Sequence, residues 1–184
     1  MPRYAVLIDG GYFKKVLRCF GEPRVDFRKL SEAVAFGDER LRTYYYDCPP
    51  HLSGAPTEEE KQRQASFDRF TTALEFLPRF QVRLGRLARL ETADGPQFQQ
   101  KKVDILLALD LAKLSLEHQI QRAVLIAGDS DFVPAIQIAR DAGVVVQLYY
   151  HVPPYVNDEL LRTCDERVSM SQAFIDAIAM PGRR

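Results

Sequence analysis

The chain alternates between short apolar runs and stretches with helical periodicity. YAVLID (Tyr4–Asp9) and RAVLIAG (Arg122–Gly128) are nearly all apolar up to their last residues. That pattern predicts strands buried on both faces of a sheet. VVVQLYY (Val144–Tyr150) repeats it after Gly143, and LRTYYYD (Leu41–Asp47) is β-rich and runs into Pro49-Pro50. FQVRLGRL (Phe80–Leu87) alternates apolar with polar residues and predicts a strand with one wetter face, near a sheet edge. Helices are predicted over Tyr12–Phe20 and Phe27–Phe36, split by Gly21-Glu22-Pro23, and over Thr57–Leu77, where Thr57 precedes three glutamates. KKVDILLALDLAKLSL (Lys101–Leu116) is an almost wholly apolar helix, and Phe132–Ala142 is a helix stopped by Gly143. ETADGPQFQQ (Glu91–Gln100) reads as a loop, and the C-terminal third reads as helical with a break near Arg167–Ser169. Strands alternating with helices give an α/β fold whose mainly parallel sheet is covered on both faces.

Length and composition narrow this picture. A chain of 184 residues suits a single domain over residues 1–184, and 46% hydrophobic with 27% charged residues is an ordinary globular balance. Lys plus Arg equals Asp plus Glu at 25 each, so any nucleic-acid site must arise from local clustering. No apolar run approaches the ~20 residues that span a bilayer, and the N-terminus meets an Asp too soon for a signal-peptide core. Three scattered cysteines, Cys19, Cys48 and Cys164, lack metal-ligand spacing and fit a reduced, cytoplasmic protein.

The candidate chemistry lies in the acids. In an open parallel sheet, ligands bind beyond the carboxyl ends of the strands. Asp9 ends the first strand, and Asp129 and Asp131 follow the strand at Arg122–Gly128, so all three are expected on one edge. Asp104 shares a helix face with Leu107, Ala108 and Leu111, where a carboxylate is costly unless something compensates it. At ~4–5 Å and an effective dielectric near 20, each ionised pair in such a cluster costs roughly 3–4 kcal/mol. A cation among the acids relieves that cost, and ligation by oxygen without His or Cys favours Mg²⁺ or Mn²⁺. Singly, each acid has a structural alternative: Asp131 or Ser130 as a helix cap, Asp9 as a turn residue, Asp104 as a helix-start acid. Asp110 lies about 240° around the helix from Asp104 and shares a stripe with Lys113 and Glu117, which reads as solvated ion pairs.

IDGGYF, KKVDILLALDLAKL and IAGDSDFVPAI together resemble the signature segments of the NYN domain, in its LabA-like branch within the PIN-like nuclease superfamily. Their order and spacing cover the chain from about Tyr4 to Ile175. The resemblance implies a PIN-like three-layer α/β/α sandwich and metal-dependent ribonuclease chemistry. It places the acidic site on Asp9, Asp104, Asp129 and Asp131, with Asp110 as a second-tier acid. Many relatives have Asn three residues after the first acid, where this chain has Tyr12.

For such a site, Asp9, Asp104 and Asp129 are the expected metal ligands, Asp131 an additional catalytic acid, and Ser130 a phosphate or metal-water contact. Lys14, Lys15 and Arg18, with Lys101 and Lys102, are candidates for phosphates of an RNA substrate, and Tyr12 for stacking on a base. No membrane partner is implied, and a homo-oligomer is compatible with the sequence. Two rival functions are a non-cleaving RNA- or protein-binding regulatory module and an aspartyl phosphohydrolase using Asp9. The second lacks the acid two residues on, where the chain has Gly11.

Overall fold

The computed structural model describes residues 1–92, 95–101 and 103–181, with residues 86–92 and 95–101 described by their backbone alone. Its centre is a six-stranded sheet in which every pairing is parallel, with helices on both sides. The strands are β1 (Arg3–Asp9), β2 (Glu39–Asp47), β3 (Phe80–Leu84), β6 (Arg122–Ile126), β7 (Val145–Tyr150) and β8 (Glu166–Ser169), in the order β3-β2-β1-β6-β7-β8. Tyr4–Ile8 and Ala123–Ile126 are fully buried, as continuous apolar strands in the middle of a two-face-covered sheet must be.

This strand order has one functional consequence. The chain builds outward from β1 to β3, then returns to the other side of β1 to start β6. The two halves diverge there, and the crevice at the carboxyl ends of β1 and β6 is the place where open α/β sheets hold ligands.

Helices α1 (Gly10–Cys19), α2 (Phe27–Ala33), α3 (Glu58–Glu75), α4 (Val103–Leu116), α5 (Val133–Asp141), α6 (Asp158–Thr163) and α7 (Gln172–Ile178) cover the sheet. The Thr57 signal forms a complete capping box with Glu60 at the start of α3. On α4, Leu107 and Leu111 are fully buried on the face that Asp104 shares.

Three expectations are corrected. The alternating strand predicted over Phe80–Leu87 ends at Leu84, and beyond Gly85 the chain enters an antiparallel hairpin, β4 (Arg86–Thr92) with β5 (Gly95–Lys101). The stretch expected as a loop, Glu91–Gln100, thus belongs mostly to that hairpin. The break expected at Arg167–Ser169 in a helical third is the edge strand β8, too short to register as a period but paired with β7 from Gln147 to Tyr150. The edge position expected for the Phe80 strand is observed. Among the described residues, no helix is long and apolar enough to cross a membrane.

Candidate active site

Two tight turns place the first acids. Asp9 leaves β1 in extended conformation and caps α1, its Oδ1 accepting from the Tyr12 N–H at 3.1 Å. The helix can begin at once because Gly10 has no Cβ. One there would fall 2.6 Å from the Tyr45 ring and 2.8 Å from the Tyr46 carbonyl oxygen. Asp129 follows β6 in the same manner. It caps a 3₁₀ turn over Ser130–Phe132, its Oδ1 accepting from the Asp131 N–H at 3.2 Å. α5 follows with Pro134 in its first turn and no side-chain cap. Asp129, rather than Asp131 or Ser130, is therefore the capping residue, while Asp131 is exposed and Ser130 opens the turn. Capping occupies one carboxylate oxygen with a backbone N–H and fixes the orientation of the group.

Asp9, Asp104 and Asp129 line one cleft of about 460 Å³ at the switch between the two halves of the sheet. Burial pushes the Asp9 pKa up to about 6, and the Asp104 and Asp47 carboxylates push the same way against opposing backbone N–H bonds from Tyr12 and Gly11. Asp104 is also raised, first by burial and then by the charges of Asp129 and Asp131. Asp131 thus acts on the cluster electrostatically from its exposed position. Among the described residues, no three His, Cys, Asp or Glu side chains stand close enough to form a ready-made ligand set. The donor chemistry, carboxylates with Asn157 and without His or Cys, nevertheless suits Mg²⁺, which uses one or two carboxylates and keeps several waters.

The remaining candidates separate clearly. Asp110 lies outside this cleft. Its carboxylate accepts from Tyr46 Oη at 2.9 Å and from Arg83 Nε at 3.2 Å, a partly buried pair across β2 and β3. It is neither solvated nor in the cleft, because its helical face turns toward those two strands. Lys113 and Glu117 form the surface pair expected of them, at 4.0 Å. The Lys14 ammonium is taken by the buried carboxylate of Asp47, which also accepts from Tyr45 Oη at 3.1 Å and from the Cys48 N–H at 2.8 Å. Arg18 pairs with Glu22 at 3.3 Å on the surface. Lys15 lines the acid cleft and also the adjoining groove between α1 and α3, where Arg63 lies. Lys102 lies outside the described residues, and so does the side chain of Lys101.

Tyr12 departs from the stacking role expected for it. It is 6% exposed, packed so closely that a Cβ on Gly128 would overlap its ring. Its hydroxyl bonds the backbone of His151, donating to the carbonyl at 3.3 Å and accepting from the N–H at 3.1 Å. Tyr12 therefore ties the segment after β7 to α1, and that segment supplies Pro154, Tyr155 and Asn157 to the cleft. The Asn157 N–H donates to the Gly128 carbonyl at 3.0 Å, which closes the cleft against the Asp129 turn. Tyr155 and Asn157 escaped the sequence reading. The edge rule that found Asp9 also points to the segment following VVVQLYY.

Comparison with known proteins agrees with this geometry. The chain matches the NYN domain family over residues 3–171 and belongs to that family, which is part of the PIN-like superfamily. A protein of unknown function from Vibrio parahaemolyticus has a similar fold, with a TM-score of 0.63 at 18% identity over 97% of this chain and 96% of that one. The uncharacterised protein y4oD of Sinorhizobium fredii is 44% identical over 52 residues, which are 28% of this chain and only 24% of y4oD.

Proposed function

From membership of the NYN family, we propose that this protein is a metal-dependent ribonuclease that hydrolyses RNA phosphodiester bonds at the cleft of Asp9, Asp104 and Asp129. The observation that carries the reading is the convergence of three acids from two strand ends and one helix on the switch-point crevice. The Asp104 charge raises the pKa of Asp9, and the charges of Asp129 and Asp131 raise that of Asp104; a cation among them reverses the sign of those interactions. A bound Mg²⁺ or Mn²⁺ supplies Lewis-acid polarisation of the phosphodiester and a water of lowered pKa. The chain's own groups do the rest. The caps at Asp9 and Asp129 fix two carboxylates, and Lys15 offers a cation to a phosphate at the lip. Tyr12 and Asn157 hold the wall of the cleft in place. Hydrolysis of this kind leaves a 5′-phosphate and a 3′-hydroxyl.

The test is an RNA-cleavage assay in Mn²⁺ against EDTA, with Asp9→Asn and Asp129→Asn beside the wild type. Metal-dependent cleavage lost in both variants supports the reading. The rival is a NYN module that binds RNA without cutting it. What favours it is Tyr12, where many relatives have Asn, together with a net charge of zero. RNA retained intact in saturating Mn²⁺ would decide for that rival.

A further inference from the structure

On the flank of α1, the helices α1, α2 and α3 enclose an apolar groove of about 770 Å³. It shares no lining residue with the acid cleft. Its floor is an aromatic cluster centred on Phe27, whose ring meets those of Phe13, Tyr45 and Phe70 at centroid separations of 6.0, 5.5 and 5.6 Å. Tyr45 and Phe70 stand 5.4 Å apart, edge to face. A concave, mostly apolar site of this volume with few polar groups has the form of a small-molecule pocket.

The polar groups at its margin are chiefly cations, and most are already partnered. Lys14 is taken by Asp47 and Arg28 by Glu32 at 2.9 Å. Asp26, the acid of the lining, accepts the N–H groups of Arg28 and Lys29 as the cap of α2. Arg24 and Arg69 remain. Neither has an acidic partner among the described residues, and Arg69 donates only to the Ser66 hydroxyl at 3.1 Å. Both arginines are exposed at the rim, so an apolar body fills the groove and an anionic head complements the two guanidinium groups.

We propose that this groove binds a medium-chain carboxylate, its chain against the aromatic floor and its carboxylate answered by Arg24 and Arg69. The proposal stands apart from the nuclease reading, since it needs neither metal nor RNA.

The test titrates the full chain, in EDTA and below micellar concentrations, with decanoate, decanol and decyltrimethylammonium by calorimetry. One decanoate binds per chain, and decanol binds about tenfold more weakly, the worth of a charge-assisted hydrogen bond. Decyltrimethylammonium binds least. In Arg24→Gln/Arg69→Gln the decanoate affinity falls to that of decanol, while decanol is unchanged. Ala73 is an exposed residue of α3 that lines the groove, so Ala73→Trp fills the space and abolishes binding of both chains in a protein that still melts cooperatively. Non-saturable uptake, equal affinity for the three probes, or full decanoate binding by the double arginine variant overturns the proposal.

Discussion

Asp9 and Asp47 end neighbouring parallel strands, with Asp9 in register with Tyr46, one residue before Asp47. Their surroundings are opposite. Asp47 is 2% exposed and meets Lys14, the Tyr45 hydroxyl and the Cys48 N–H, so its charge is matched within the protein. Among the described residues Asp9 is given backbone N–H groups but no ion-pair partner, and it faces a second raised carboxylate in Asp104. The same residue type at the same sheet edge is thus a finished ion pair in one strand and an unfinished site in the next. An acid that the fold has completed is structural. An acid that the fold has positioned and left uncompensated marks the place for a ligand.

The largest effect should come from the unfinished side. Asp9→Asn and Asp129→Asn are expected to lose Mn²⁺-dependent RNA cleavage altogether while retaining a cooperative melt. Mn²⁺ should raise the melting temperature of the wild type and leave both variants unmoved. A variant that keeps cleavage would dissolve the contrast between the two strand ends.

Next in size is the finished side. Lys14→Met strands the Asp47 carboxylate in the interior, and breaking such a pair should cost about 3 kcal/mol in urea melts near neutral pH. The same substitution should leave Mn²⁺ affinity unchanged. A stability equal to that of wild type would mean that Asp47 needs no cation, and the two acids would then not differ in kind.

The pH dependence of Asp9 is of similar size. Its folded pKa, about 6, lies above the ordinary value of 3.8, so the folded state binds the proton more tightly than the unfolded chain. That contribution is fully present below pH ~4 and is lost as pH rises through ~6, for a total of up to about 3 kcal/mol. Metal-free melts of wild type should show this fall, and Asp9→Asn should flatten it. A curve that rises over the same interval would reverse the assignment.

The smallest change is Tyr12→Phe. Losing both hydroxyl bonds to His151 should cost about 1 kcal/mol. It should reduce cleavage more than stability, since the freed segment carries Tyr155 and Asn157 into the cleft. An unchanged cleavage rate would show that the wall needs no tether.

Much of this was legible along the chain. The buried strands at Tyr4 and Arg122 announced themselves by apolar composition, and the edge rule then put Asp9 and Asp129 together before any coordinates. Asp104 was legible for a second reason, an acid on a helix face otherwise made of Leu107 and Leu111. The Phe80 strand was read past its end because Gly85 interrupts an alternation that resumes in β4. β8 has only four residues, fewer than a period-2 signal needs to stand out.

The sequence by itself determined the class of fold and the identity of the acids, because hydrophobic period and residue type are local properties. It could not tell an occupied carboxylate from an open one. Lys14 and Asp47 are 33 residues apart and Arg83 and Asp110 27 apart. Only the packing of α1 beside β2, and of α4 over β2 and β3, brings those charges within reach. Tyr12 likewise gains its partner 139 residues away, when β7 takes its place in the sheet. Charge compensation depends on distances of a few ångströms between elements remote in sequence, and tertiary structure alone sets those distances.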